Sequence, residues 1–223
     1  MLGNEYSKPI ESFNSFEVRG AEEFLKYYLD DKKIIAVTVH VGPIDEMAGV
    51  IAFFGIKVYV PAEDLRPAWL FDLMQRLRLT RGDILFEPLM RGQVLIRAAE
   101  QLRRGRIVLF PVDAPTKRGV TCQIGNGVAR FPVGPVKLAL EQDATIFPVL
   151  PSWQKERNGL KLVIGSPFEL IRTADRQQDI ETNTRRLIEE VFVPHIQENY
   201  DAWLRAIWIN LEEVGQKDRA LAI

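Results

Sequence analysis

Short apolar strand patterns alternate with helical patterns along most of this chain, and this alternation restricts the fold more than any other feature. The predicted strands lie in IIAVTV (34–39), IKVYV (56–60), DILFE (83–87), RIVLFPV (106–112), ATIFPVLPSW (144–153) and LKLVIGSPFEL (160–170). Strands that alternate with helices favour an α/β layered domain. We expect one α/β domain in which a mixed, mostly parallel sheet is flanked by helices.

The predicted helices are marked by apolar residues at helical spacing and by their end signals. They comprise a short amphipathic helix around Phe24, helices beginning near Asp45 and Pro67, a helix ending at Gly105, a helix opening in GPVKLALEQ (134–142), and a helical region from Asp179 to about Leu204. Pro194 must kink or split the last region, because proline removes a helical hydrogen bond. The stretch from 113 to 130 has no clear periodicity and is predicted to be a long ordered loop.

The length of 223 residues fits a single domain. We divide the chain into a loose leader of residues 1–15, a domain of residues 16–210 and a tail of residues 211–223. The leader has neither a basic start nor an uninterrupted apolar run, and it does not resemble a secretory signal. No stretch reaches the roughly twenty apolar residues that span a bilayer.

The charge and cysteine content exclude several classes of function. Twenty-nine basic and thirty acidic side chains leave a net charge of −1, which gives no general attraction to nucleic acid. An anionic ligand must therefore meet a local cluster of cations. Cys122 is the only cysteine, so no internal disulfide can form and a reducing, cytoplasmic environment is expected.

The pair His40 and Asp45 is the strongest chemical signal in the sequence. His40 is one of two histidines and stands where the strand at 34–39 ends, and Asp45 falls in the first turn of the following helix. Binding crevices of open α/β sheets lie at the carboxyl ends of strands, and the helix dipole favours an ionised Asp45. If the turn is tight, the carboxylate can fix the imidazole tautomer and leave the other ring nitrogen as a base. Because no nucleophile accompanies the pair, it favours direct transfer to an external hydroxyl or amine.

Other interpretations of these side chains stay open. His40 can simply end a strand, and Asp45 can be an ordinary first-turn acid. Lys117 and Arg118 can bind a phosphate through charge-assisted hydrogen bonds or be solvated loop charges. His195 is expected to be a surface or packing histidine, since Glu198 is the only acid at a pairing distance on its face. Cys122 has no histidine nearby in sequence, which argues against a nucleophile. We find no nucleophile elbow, phosphate-binding glycine loop or metal-ligand cluster, and we expect no cofactor.

Several segments resemble the glycerolipid acyltransferases, and in particular the bacterial branch related to lipid A late acyltransferases. HVGPID (40–45) is similar to the His-x4-Asp motif, although that branch usually has Asn and Trp where this chain has Pro43 and Ile44. RRGRIVLFPVDAPTKRG (103–119) and ARFPVGPVKLALEQDATIFPV (129–149) resemble two further segments in the expected order, and the similarity covers about residues 16–205. The resemblance implies a glycerol-3-phosphate acyltransferase-like fold.

The resemblance also implies roles for individual residues. His40 falls on the general base and Asp45 on its orienting partner. Asp113 falls on the acidic residue of the second family segment, and Phe131 and Gly134 fall on the Phe and Gly of the third. We expect these three residues to bind substrate, together with Lys117 and Arg118 from the reasoning above. The chain departs from the family at Ala114 and Pro132, keeps Trp203, and lacks the His-Arg residues usual near that point and the usual N-terminal membrane helix.

The sequence therefore predicts an enzyme that moves a fatty acyl group from acyl-CoA or acyl carrier protein to a hydroxyl of a lysophospholipid or glycolipid. We expect it to act peripherally on the cytoplasmic face of the membrane, with no metal and no nucleic-acid partner. The departures leave open a catalytically inactive lipid-binding or interaction protein of the same fold. An amine acceptor would use the same pair of residues.

Overall fold

A seven-stranded sheet forms the centre of the protein in a computed structural model, which describes residues 15–44, 47, 50–51, 54–62, 84–88, 92–114, 116–154 and 159–204. Its strands are β1 (Ser15–Arg19), β2 (Ile34–Thr38), β3 (Val58–Ala62), β4 (Ile84–Pro88), β5 (Ile107–Pro111), β8 (Thr145–Gln154) and β9 (Gly159–Ile164). Their order is β1-β9-β8-β2-β5-β3-β4. Neighbours are parallel except for β8 and β9, so the predicted mixed, mostly parallel sheet is confirmed.

Helices cover both faces of the sheet. They are α1 (Ala21–Leu29), α2 (Val94–Arg103), α3 (Gly134–Gln142), α4 (Arg176–Leu187) and α5 (Val193–Glu198). Residues 44, 47, 50 and 51 are also helical, as the pattern after the break at Gly42-Pro43 predicts. Among the described helices, none combines the length and the apolarity that crossing a bilayer requires.

The central strands are apolar on both sides because both faces of the sheet are covered. All five residues of β2 are buried. Ile35 and Val37 face a core that includes residues of α2 and α3, whereas Ile34 and Ala36 face the core around Phe24 of α1. Strands buried on both faces appear in sequence as continuous apolar runs, which is why these strands could be predicted.

Two strand regions differ from the sequence prediction. β1 is an edge strand that the sequence pattern did not predict, and β6 (Val120–Ile124) and β7 (Gly127–Phe131) form an antiparallel hairpin inside the stretch predicted to be a loop. In β6, buried and exposed residues alternate strictly, with Val120, Cys122 and Ile124 buried. Five residues of alternation between turn-forming segments are too short a signal to stand out from a loop.

The predicted interruption at Pro194 is confirmed. A π-helical turn (Ile188–Phe192) separates α4 from α5, and Pro194 lies in the first turn of α5. The chain then forms a short 3₁₀ turn (Tyr200–Ala202). The helix predicted from Pro67, the tail and residues 1–14 of the leader lie outside the described residues, and the domain limits stay a prediction.

The register between β2 and β5 brings two strand ends together. These strands are parallel neighbours, and Thr38 is paired with Pro111. Two residues further along each strand are His40 and Asp113, so the sheet itself brings these two side chains to one position at its carboxyl edge. Ligand crevices of open α/β sheets lie at this edge.

Gly20 joins β1 to α1 in a conformation that leaves no room for a side chain. Its φ is +71°, and a Cβ atom would lie 2.1 Å from the backbone oxygen of Ile164. Gly105 has a similar φ of +73°, but a Cβ there would meet no atom within 4 Å. The two glycines therefore separate the effect of backbone conformation from the effect of crowding.

We predict that Gly20→Ala destabilises the protein more than Gly105→Ala. A left-handed conformation costs an alanine roughly 1–2 kcal/mol, so the free energy of unfolding falls by about this amount in both variants. Crowding against backbone adds about 1–3 kcal/mol at Gly20 alone. Urea unfolding of both variants measures the difference in their free energies of unfolding. Equal losses of stability would contradict the close approach of Gly20 to β9.

Candidate active site

His40 and Asp113 form a hydrogen-bonded pair at the carboxyl edge of the sheet. The imidazole Nδ1 lies 2.7 Å from Asp113 Oδ1, and the backbone N–H of His40 donates to Oδ2 at 2.8 Å. The His40 side chain is 19% exposed, whereas the Asp113 side chain is only 1% exposed. The carboxylate is thus enclosed in protein while the imidazole reaches the surface.

A third donor to the carboxylate comes from a residue 90 positions further along the chain. The indole Nε1–H of Trp203 donates to Asp113 Oδ2 at 2.8 Å. The backbone around Trp203 pairs with the backbone around His40, because Gly42 N–H donates to Ala202 O at 2.9 Å and Leu204 N–H donates to His40 O at 2.8 Å. We call residues 202–204 the C-terminal clamp.

The environment of Asp113 keeps the carboxylate ionised. Burial is the strongest influence on its pKa and by itself would raise it, because a charge in an apolar interior loses hydration. The hydrogen bond and charge of His40, the indole N–H of Trp203 and the backbone N–H of His40 oppose this effect and hold the pKa of Asp113 below its ordinary value. The site therefore contains a buried negative charge next to an accessible imidazole.

This geometry determines which nitrogen of His40 can act on a substrate. An ionised carboxylate only accepts hydrogen bonds, so its contact places the imidazole proton on Nδ1. Nε2 then carries a free lone pair, and no hydrogen-bond partner for it is found within the described part of the chain. An imidazole in this tautomer can take a proton at Nε2, and the carboxylate then stabilises the resulting imidazolium.

The carboxylate that the structure places against His40 is Asp113, which the sequence assigned to substrate binding. Asp45, the expected partner, lies outside the described residues, and its role stays a prediction. Asp113 was expected to bind substrate, but its two oxygens are occupied by His40 and Trp203. A buried carboxylate needs such donors, so this residue supports the imidazole instead of presenting a free oxygen to a ligand. The sequence signal was its position directly after a buried strand, as for His40, but the sequence did not show that the two strands are neighbours.

The predicted cations lie in a loop whose backbone is hydrogen-bonded by the side chains of Thr116 and Arg130. Lys117 and Arg118 are exposed, and the Thr116 hydroxyl donates to Arg118 O at 2.7 Å and accepts from Arg118 N–H at 3.2 Å. Arg130 of β7 donates to Lys117 O at 3.1 Å. Neither Lys117 nor Arg118 forms an ion pair with another described residue. Both side chains are therefore available to an anion.

Phe131 and Gly134 have clear structural roles. Phe131 is 1% exposed and packs in the core that includes α2 and α3. Its backbone oxygen would lie 1.9 Å from a Cβ atom at Gly119, so the loop containing the cations passes directly against β7. Gly134 begins α3, where a Cβ atom would be 3.3 Å from the side chain of Leu95. Their contact with substrate stays a prediction.

The two other titratable candidates are packing residues. His195 is 9% exposed and its Nε2 lies 2.9 Å from Pro151 O. Burial lowers the pKa of His195, which favours the neutral ring. Cys122 is buried in β6, and burial raises the pKa of its thiol to about 11. A thiol of this kind is a poor nucleophile at neutral pH.

A carboxylate-supported histidine at the carboxyl edge of a mostly parallel α/β sheet defines a class of site that suits base-catalysed group transfer. The family model of the bacterial lipid A biosynthesis acyltransferases matches residues 7–209, and the chain belongs to this family. It is an acyltransferase of lipid biosynthesis and transfers an acyl group to a lipid.

The chain was also compared with individual proteins and solved structures. No curated protein matches the chain. Among solved structures, the chain is similar to the 1-acyl-sn-glycerophosphate (LPA) acyltransferase PlsC from Thermotoga maritima. The two are 17% identical, with a TM-score of 0.48 over 86% of this chain and 78% of that one.

We predict that Asp113→Asn lowers stability at neutral pH by about 2 kcal/mol, because an amide presents a donor where the carboxylate accepted hydrogen bonds. The folded pKa of Asp113 is depressed, so its contribution is present above the unfolded pKa of about 3.9 and is lost as pH falls through the folded value. The stability difference between wild type and variant should therefore shrink in acid.

Urea unfolding at neutral and acidic pH measures this difference. Asp143→Asn is the control, because the Asp143 side chain is 92% exposed and its replacement should change little at either pH. A difference between wild type and Asp113→Asn that stays constant into strong acid would contradict the ionised state of Asp113.

Proposed function

We propose that this acyltransferase moves a fatty acyl group from a thioester, carried by coenzyme A or acyl carrier protein, to a hydroxyl of a lysophospholipid or glycolipid. The family supports acyl transfer to lipid. The observation that carries the chemical proposal is the 2.7 Å contact between His40 Nδ1 and the buried Asp113 carboxylate. It leaves Nε2 as a base to which no nucleophile of the described residues is hydrogen-bonded.

The proposed reaction is a direct transfer without an acyl-enzyme. His40 Nε2 takes the proton of the acceptor hydroxyl as its oxygen attacks the thioester carbonyl carbon. The tetrahedral intermediate then breaks its C–S bond, and the departing sulfur receives the proton from the imidazolium. The products are an ester and a free thiol, and His40 returns to its starting state. The proposal requires no metal or other cofactor.

Asp113 acts in this scheme through the imidazole. Its negative charge stabilises the imidazolium that exists between the two proton transfers. Because the carboxylate is buried, this interaction is screened less than it would be in water. Asp45 remains a predicted second partner of His40. Its negative charge would add to the stabilisation of the imidazolium.

The loop after Asp113 supplies the proposed anion site. Lys117 and Arg118 follow Asp113 by a few residues, are exposed, and lie in a loop fixed by Thr116 and Arg130. We propose that they bind a phosphate of the donor or of the lipid headgroup. Arg118 or backbone N–H groups would also stabilise the oxyanion of the intermediate.

The protein is proposed to act at the surface of the cytoplasmic membrane. Its acceptor is a membrane lipid, whereas acyl-CoA and acyl carrier protein are soluble donors of the cytoplasm. The single cysteine, buried in β6, is compatible with a reducing environment. The near-balanced net charge of −1 supports no nucleic-acid partner.

We predict that His40→Ala lowers kcat for acyl transfer by about 10²- to 10⁴-fold, because the variant has no base at this position. The measurement is ester formation from acyl-CoA or acyl carrier protein with a panel of lysophospholipids and glycolipids, followed by mass spectrometry. Circular dichroism checks that the fold is retained.

His195→Gln is the matched control, since it removes the other histidine while an amide can still donate to Pro151 O. It should keep wild-type turnover per folded molecule. Unchanged turnover in His40→Ala would refute the assignment of the base. A wild-type protein that binds lipid but transfers no acyl group from any donor would favour the non-catalytic alternative.

We predict that Lys117→Ala and Arg118→Ala each raise KM for acyl-CoA about tenfold, because each loses a charge-assisted contact to phosphate. The same variants should use an acyl-N-acetylcysteamine thioester, which has no phosphate, as well as the wild type does. Lys26→Ala is the control. Lys26 lies in the last turn of α1, which precedes the amino end of β2, whereas the site lies at the carboxyl end of that strand. Equal effects on both donors would contradict a donor phosphate site.

A further inference from the structure

The side chain of Trp203 makes a contact that packing alone does not require. We propose that Trp203 is a positioning residue for acyl transfer, because its indole N–H fixes the Asp113 carboxylate in the orientation that supports His40. This inference rests on the proposed function of His40. It adds a residue from the far end of the described chain to the catalytic machinery.

The first part of the argument is the distribution of donors around the carboxylate. Among the described residues, only the imidazole contacts Oδ1, at 2.7 Å. Oδ2 receives two N–H groups, one from the His40 backbone and one from Trp203, both at 2.8 Å. Two donors on one oxygen restrict rotation of the carboxylate, so that the other oxygen stays directed at Nδ1. Without the indole N–H, a single backbone donor would hold Oδ2.

The second part is that the clamp also holds the backbone of His40. Leu204 N–H donates to His40 O, Gly42 N–H donates to Ala202 O, and Val41 forms an antiparallel bridge with Trp203. The same short segment therefore contacts the base through its main chain and the carboxylate through its side chain. The position of the clamp therefore affects the alignment of His40 with Asp113.

The third part is the burial of the indole. Trp203 is 5% exposed, and a buried indole N–H needs a partner. The partner chosen is an ionised carboxylate, to which a hydrogen bond is stronger than one to a neutral group. A tryptophan that served only to fill space could have donated to a backbone carbonyl. The hydrogen bond to Asp113 links the Trp203 side chain to the carboxylate that supports His40.

The test replaces Trp203 with phenylalanine, which keeps an aromatic ring but lacks the N–H. We expect kcat to fall about tenfold or more while KM for donor and acceptor stays within about twofold, because the loss of a hydrogen bond to a charged group affects the base and not binding. In ¹⁵N-histidine NMR spectra, the Nδ1–H resonance of His40 should shift or broaden.

Tyr200→Phe is the matched control within the same segment. Tyr200 is 51% exposed and its ring lies 6.0 Å from that of Trp203, and phenylalanine preserves this ring contact. This variant should keep wild-type kcat and the wild-type resonance. Wild-type kcat together with an unmoved His40 resonance in Trp203→Phe would overturn the inference, and so would the same loss in both variants.

Incorporation of 3-benzothienylalanine at position 203 covers the case in which Trp203→Phe does not fold. This analogue has nearly the shape of tryptophan with sulfur in place of N–H, so it should reproduce the fall in kcat without unfolding. Normal kcat in this protein would overturn the inference.

The NMR measurement separates this inference from the proposed function. If His40→Ala retains turnover, the assignment of the base fails, and the resonance of His40 in Trp203→Phe still shows whether the indole positions the pair. A shifted resonance supports the positioning role, and an unmoved one overturns it.

Discussion

The burial of one negative charge is the constraint on which the site depends. Asp113 lies in the interior at the end of β5, where an ionised carboxylate is unfavourable unless donors replace its hydration. Three N–H groups do so, and they come from two parts of the chain that are distant in sequence, His40 after β2 and Trp203 in the C-terminal clamp. Satisfying this carboxylate therefore fixes the imidazole, the loop at residues 40–42 and the clamp relative to one another.

The backbone pairing of the sheet alone places His40 and Asp113 next to each other. β2 and β5 are parallel neighbours with Thr38 opposite Pro111, so the residues that follow them meet at the carboxyl edge. Both strands are buried on the two faces of the sheet, which makes their relative position hard to change. His40 consequently follows a strand at the buried centre of the sheet, while the cations Lys117 and Arg118 lie in an exposed loop after β5. This division suits an enzyme that must keep one proton-transfer geometry and accept a large lipid.

Sequence patterns predicted the α/β layers and the covered central strands, because these depend on local periodicity. A rare residue at a strand end also made His40 the candidate base, and this role stays a proposal. Sequence patterns did not predict the hairpin of β6 and β7, whose alternation is short, or the contacts of Asp113. Those contacts depend on which strands become neighbours and on their register, and neither is encoded in the spacing of residues along the chain. Asp45 is adjacent to His40 in sequence and was therefore favoured, whereas Trp203 reaches the site only through folding.

The family assigns acyl transfer to lipid. The contact between His40 Nδ1 and the Asp113 carboxylate supports the proposal that this imidazole acts as the base. The most direct test is a crystal structure of the full chain with a non-reactive thioether analogue of acyl-CoA and an acceptor lysolipid. The account predicts that the acceptor hydroxyl lies within about 3.2 Å of His40 Nε2, with Nδ1 still on Asp113. A hydroxyl bound out of reach of Nε2, or an imidazole turned away from Asp113 in the complex, would contradict it.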